Sequence, residues 1–393
     1  MQKKRGWIWL ALFLCLLLPA RSVCAEEIEA GQDVNIEEEI GNILADLDLS
    51  GLEEIYDPDT FGGSSLEDAL NRLATEGFSE YTVEQVLNGI VDELFGQAGA
   101  FGGAVAQIVL MLLVTGILSR MRSSFQNANV AQASFRAGYI VVSSIGAAML
   151  ASCIVQASQA LDSLSMMVEN ITPVLMALLT GIGGLSTSSV LSPALAALTG
   201  GIFSAMRSII FPAVIVTAVI TIASNISSSI KLGRFTALIE SGVKWFLGIV
   251  MIVFVGVIAI KGITGASLDG LSFKTAKYTI DKVVPVVGGM FSDTLDTLMA
   301  CGLIVKNAVG IVGLVTIAAA MLSPIAMLTV NTFMLKVTAA IAEPFADGSY
   351  VAMLGSMSNT VTLLMVVLLT ATAMAFISIG ILMGTMDMTM AVR

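Results

Sequence analysis

Three ionisable residues interrupt the stretch VVPVVGGMFSDTLDTLMACGLIVKNAVGIVG, which runs from Val283 to Gly313: Asp293, Asp296 and Lys306. Almost everything around them is apolar. Ionisable groups inside a bilayer are costly and by default mark a transport path or an internal ion pair, whereas on a helix lying at the surface the same groups are simply wet. On a helix, Phe291, Leu295, Leu298 and Met299 fall on one face and Asp293, Asp296 and Thr297 on the other. Three readings stay open: an interfacial helix with solvated carboxylates, a polar lining of a path, and a buried pair between an aspartate and Lys306.

Other chemistry is narrowed by what the chain lacks. It contains no histidine, which removes imidazole acid–base catalysis, His-ligated metals and the usual catalytic triads. Its four cysteines, Cys15, Cys24, Cys153 and Cys301, show no CxxC spacing. No GxxxxGKS or GxxxxGKT motif is present, so nucleotide hydrolysis by the chain itself is not expected. These residues give no reason to expect an enzyme, a cofactor, a metal or a nucleic-acid partner.

The elements that must position the three charges follow from composition. Of 393 residues, 56% are hydrophobic and only 12% charged, which is the balance of an integral membrane protein. The net charge of -11 is unevenly spread. Glu26 to Ala100 holds 20 acidic residues against Arg72 alone, whereas Phe101 onward holds 10 acidic and 14 basic, so the two parts carry 1 - 20 = -19 and 14 - 10 = +4. Residues 1–25 have a basic start at Lys3, Lys4 and Arg5, an apolar core from Trp7 to Leu18, and Val23-Cys24-Ala25 as a small-residue cleavage box. They read as a signal peptide cut after Ala25, which puts Glu26 outside the cytoplasm; the alternative is an uncleaved anchor.

Residues 26–100 form an acidic helical extracytoplasmic region. Ile40, Ile43, Leu44 and Leu47 make one apolar stripe, and Val83, Val86, Leu87, Ile90, Val91 and Leu94 another. So few large apolar groups bury only a small core. The region is either a solvated prelude or a set of helices whose stripes dock on a partner or on the membrane domain.

Beyond it the apolar segments are Gly102 to Leu118, Tyr139 to Gln156, Ile171 to Leu185, Ser192 to Ala205, Pro212 to Ser224, Trp245 to Ile260, Gly302 to Leu322, Ile325 to Ile341 and Val361 to Leu382. They suggest roughly seven to ten crossings, with some re-entrant hairpins, because several are shorter than the about 20 residues of a full span. Arg120, Arg122 and Arg136, and later Lys231, Arg234 and Lys244, place two loops in the cytoplasm. An offset of 112 superposes Pro173 on Pro285 and Pro212 on Pro324 (285 - 173 and 324 - 212), along with Val174 on Val286, Leu191 on Leu303, Gly201 on Gly313 and Thr217 on Thr329. The same offset sets Asp293, Asp296 and Lys306 over Gly181, Gly184 and Ala194, so the charges are additions to the second copy. The expected architecture is an all-α polytopic bundle with a tandem internal repeat: a first transmembrane pair at 101–160, repeat copies at 169–263 and 281–384.

The motifs LDLSGLEEIYD, ITPVLMALLTGIGGLSTSSVLSPALAAL and FKTAKYTIDKVVPVVGGMFSDTLDTLMACGLIVKNAVGIVG resemble the stage III sporulation protein AE family of endospore-forming bacteria. The resemblance covers the chain from Gly102 onward and is looser before it. It implies a multi-pass protein of the mother-cell membrane that engulfs the forespore, with residues 26–100 in the intermembrane space. It further implies partners among the membrane proteins of the same sporulation operon, a forespore-side partner, and a transenvelope, secretion-like complex that sustains late forespore gene expression. Self-association is left open, and the alternative function is a permease moving a small solute or ion through its own bundle. The family supplies no catalytic residues to carry over.

Cleavage after Ala25 predicts that protein extracted from membranes begins at Glu26. N-terminal sequencing checks this, and recovery of intact Met1 would refute it.

Overall fold

The structure is a computed structural model, and it describes residues 36–61, 63–75, 83–120, 128–226, 233–283, 288–344, 346 and 348–385. The signal segment and its cleavage site lie outside the described residues. Among the described residues there is no strand. The helices are α1 (Ile36–Ala45), α2 (Ser50–Glu53), α3 (Leu66–Thr75), α4 (Val83–Arg120), α5 (Ala128–Gly181), α6 (Leu185–Ala205), α7 (Phe211–Ile226), α8 (Gly233–Val283), α9 (Gly288–Ala342) and α10 (Gly348–Gly384). A π-helical turn, Met206–Ile210, joins α6 directly to α7.

Six stretches are long and apolar enough to cross a bilayer among the described residues: Gly89–Ile117, Ala137–Gly181, Leu185–Ala223, Gly233–Ser272, Thr297–Ala342 and Gly348–Gly384. The nine segments of the sequence therefore merge into six helices, fewer than the seven to ten crossings expected. Prolines explain the difference. Pro173, Pro193 and Pro324 lie inside continuous helices, where neighbouring helices and local adjustments in an apolar bundle make up for the lost backbone bond. At Pro212 the accommodation is visible, since the N–H of Phe211 reaches back five residues to Met206 O.

One true break remains between α5 and α6. Gly183 has φ of 90° there, a left-handed conformation that glycine adopts without a Cβ penalty. The N–H groups of Ile182, Gly183 and Gly184 bond the carbonyls of Leu178, Thr180 and Leu179, which closes the end of α5. α9 and α10 share the most extensive helix contact, with α5 against both and α4 along α9. Their seam is set by small residues: Gly302 packs on Ile182, Gly313 on Ile171, Gly146 on Met357 and Gly138 on Thr115. Close backbone approach of this kind is how helices associate where water does not drive them together.

Of the two readings of the acidic region, the structure selects docking. α1 and α3 rest on α9, and α2 rests on α5. Ile40, Leu44, Leu49, Leu52, Phe61, Leu66 and Leu70 are buried in the same apolar core as the bundle. Polar contacts fix the register: Asn170 Nδ2 donates to Glu54 Oε2 at 3.2 Å, and Gly51 faces the backbone of Asn170. The stripe that was too small for a core of its own becomes one edge of a larger core.

Leu70 is fully buried. Leu70→Ala should therefore weaken docking by about 2–5 kcal/mol, exposing residues 36–75 to limited proteolysis in detergent while the bundle stays resistant. Equal digestion of the variant and the parent would show that docking contributes little.

Candidate functional site

Among the described residues, two charged side chains are buried in the bundle. Asp269 of α8 is 4% exposed, and Lys306 of α9 is 0% exposed. Each engages the end of another helix. Ser186 N and Thr187 N donate to the two carboxylate oxygens of Asp269 at 2.7 and 2.8 Å. These N–H groups open α6, whose own N-cap position is Gly184 and supplies no side-chain cap. The first four N–H groups of a helix have no intrahelical partner and carry the positive end of its dipole, so a carboxylate from α8 satisfies both needs. Gly265, one turn before Asp269, lies against the Cα of Thr187. That closeness brings the carboxylate within bonding range.

Lys306 does the converse. Its Nζ donates to Met383 O at 2.6 Å, in the last turn of α10, where carbonyls are orphaned and the dipole is negative. Gly310 makes the space, because a Cβ there would collide with Met383. Ser358 Oγ donates to Thr332 O across the α9–α10 seam at 3.1 Å.

The sequence candidates are thus distributed as follows. Lys306 sits inside the bundle at a helix end. Asp293 and Asp296 belong to the first turns of α9, and their side chains lie outside the described residues. Along α9 they precede Lys306 by 13 and 10 residues (306 - 293 and 306 - 296), which on a continuous helix is about 20 and 15 Å. No lysine–aspartate pair spans that distance within one helix, so the contact of Lys306 is with α10 instead. Asp269 was missed by sequence reasoning because an N-cap is sought within a residue or two of the helix start, whereas this one is 82 or 83 residues away. The available signal was the pair of glycines, Gly183 and Gly184, opening a Ser/Thr-rich helix with no capping side chain.

A second polar feature lies on the bundle surface. Arg207, in the π-helical turn, pairs with Asp162 of α5. Gln97 of α4 donates to Ser323 Oγ of α9 at 3.3 Å, and Lys244 of α8 lies 3.6 Å from Glu240. Outside the bundle, Ser50 Oγ and Ser50 N donate to Asp48 at 2.6 and 3.2 Å. These bonds hold the Asp48 carboxyl below its usual range. With a lowered folded pKa, they stabilise the module above the ordinary carboxylate range and are lost on acidification. Among the described residues, no three His, Cys, Asp or Glu side chains gather to hold a metal.

An all-helical chain with six apolar helices of membrane-crossing length, whose buried charges serve helix ends, is a multi-pass membrane protein. Residues 64–386 match the family model of Stage III sporulation protein AE, and the chain belongs to that family. Stage III sporulation protein AE of Bacillus subtilis (strain 168) is 23% identical to it over 394 residues, covering 98% of this chain and 99% of that relative. No solved structure matches.

Removing the carboxylate in Asp269→Ala strands two buried N–H groups, each worth roughly 1–3 kcal/mol, and Asp269→Asn keeps one acceptor. Thermal unfolding in detergent should rank the parent first, Asn next and Ala last. An Ala variant as stable as the parent would show that the α6 end does not depend on Asp269.

Proposed function

We propose that this sporulation-family membrane protein is a platform or channel component of a transenvelope complex between mother cell and forespore. In this reading it sits in the membrane that engulfs the forespore, with the acidic module in the intermembrane space and partners among the membrane proteins of the same operon. The observation that carries the proposal is the docked module. Its apolar side is used up against α5 and α9, while Asp46, Asp48, Glu53, Glu54, Asp57, Glu67 and Asp68 face outward with Arg72 as the described base among them. A rigid scaffold that presents a charged face is suited to recruit partners and to select among them.

The second reading, a permease, is favoured by the buried Asp269 and Lys306, since ionisable groups inside membrane bundles commonly mark transport paths. Against it stands their geometry. Each is engaged with a helix terminus, the role that a structural cap fills. A duplicated architecture suits either reading. At the 112-residue offset the break at Gly183 and Gly184 falls on Leu295 and Asp296 (183 + 112 and 184 + 112), inside the continuous helix α9, so the two copies differ there.

Purification from sporulating cells tests the choice. The parent protein should bring other membrane proteins with it. A variant carrying Glu53→Gln, Glu67→Gln and Asp68→Asn should reach normal abundance yet lose them. In the same strains, Asp293→Asn with Asp296→Asn should leave spore yield near normal if the two carboxylates sit at the interface, because exposed substitutions usually shift stability by no more than about 0.5 kcal/mol. Abolished yield at normal abundance of that double variant would instead favour the permease.

A further inference from the structure

The apolar helices are too long for one bilayer. Ala137–Gly181 and Thr297–Ala342 hold 45 and 46 residues, or about 68 Å each, against a hydrocarbon core of about 30 Å. Even a tilt at the upper end of the observed range, about 40°, leaves such helices projecting well beyond it. Part of the bundle must stand outside the lipid.

The polar pairs on the surface show where. α5 and α9 are antiparallel, with Ile182 on Gly302 and Ile171 on Gly313. Nine residues further on (171 - 162), Asp162 is level with Leu322 (313 + 9), beside the Ser323 that bonds Gln97. Asp162 bonds Arg207. From Thr187 on Gly265, a step of 20 residues brings Arg207 (187 + 20) level with Trp245 (265 - 20), which follows Lys244. Gln97, Ser323, Asp162, Arg207, Lys244 and Trp245 thus form one belt around the bundle, which takes Lys244 out of the cytoplasmic loop that the basic-residue pattern suggested. Trp245 is 72% exposed, and Trp beside basic residues is the signature of a membrane–water interface.

We propose that this belt lies at the outer face of the bilayer, that lipid covers only the half between the belt and the basic loops, and that the other half stands outside beside the acidic module. α4 decides the side. Its N-terminal part carries Glu84, Asp92 and Glu93, and its uncharged apolar stretch lies wholly beyond Gln97, on the way to Arg120. On that side α4, α7 and α9 run from the belt for 23 residues (120 - 97), 19 (226 - 207) and 19 (342 - 323), or about 28–35 Å, one hydrocarbon thickness, whereas α5 runs 34 (162 - 128) and α8 only 12 (245 - 233), about 51 and 18 Å. Beyond the residues next to the belt, the charges among the described residues there are Arg234, Lys336 and, just past the end of α9, Glu343, all exposed. The other half bears exposed Glu169, Lys261 and Lys274, buried Asp269 and Lys306, and the module seated on Asn170. Asp293 and Asp296 then start α9 27 to 30 residues beyond Ser323 (323 - 296 and 323 - 293), about 40–45 Å, far outside the lipid. These two backbone positions are placed beyond the lipid by the belt and not by the sporulation role.

The feature that pulls the other way is the exposed apolar face of α8 beyond the belt, Ile249, Ile252, Val253, Val255, Ile260, Leu268 and Leu271, so the test is set there. Full-length protein with Trp7→Phe and Trp9→Phe keeps Trp245 as its one indole. Two further variants replace it by Phe and carry Val216→Trp or Ile252→Trp, both at exposed positions. Each is reconstituted in phosphatidylcholine vesicles brominated near the glycerol or at mid-chain, with circular dichroism confirming equal helicity. Val216→Trp should be quenched most by mid-chain bromine, Trp245 most by bromine near the glycerol, and Ile252→Trp least by either. Mid-chain quenching of Ile252→Trp equal to or above that of Val216→Trp would overturn the proposal.

Discussion

In an apolar bundle every backbone polar group must find its partner inside the protein, and helix ends are where partners run out. The architecture follows from how this chain meets that constraint. α6 begins with Thr187 buried beside an exposed Leu185, after a break at Gly183, and its first N–H groups use an acceptor from α8. Asp269 supplies two oxygens. Lys306 answers the opposite problem at the end of α10. Both buried charges thereby engage a helix end.

The same constraint explains the glycines. A cap delivered from another helix requires that helix to come close, and Gly265 and Gly310 are the positions where a side chain would block Asp269 and Lys306. Capping and packing are therefore one feature of the fold. Altering either glycine would act on a hydrogen bond one turn away.

The acidic module illustrates how burial resolves an ambiguity that composition leaves. Alone, Ile40, Leu44, Leu52 and Leu70 are too few to hold helices of 10 or fewer residues together. Against α9 and α5 they join an existing core, and the carboxylates are left on the outer face. A charged surface on a fixed base is a different object from a charged tail, and it is what the proposed recruiting role requires.

Much of this was legible in the chain itself. Composition alone determines a polytopic all-helical membrane protein, because 56% apolar and 12% charged residues leave no soluble alternative. The motifs around Pro173 and Pro285 point to the family, and charge sorting separates the acidic region from the bundle. The number of helices was not legible, since proline and polar residues in a linear pattern look like ends, and only packing shows that Pro324 and Pro193 are carried through. Asp269 was invisible for the same reason: its partners are more than 80 residues away, and no local pattern encodes them. Lys306 was visible as a charge, but what it bonds was decided by α10 crossing α9 at Gly310. Sequence determines which residues are costly to bury, and the tertiary structure decides which helix end meets the cost.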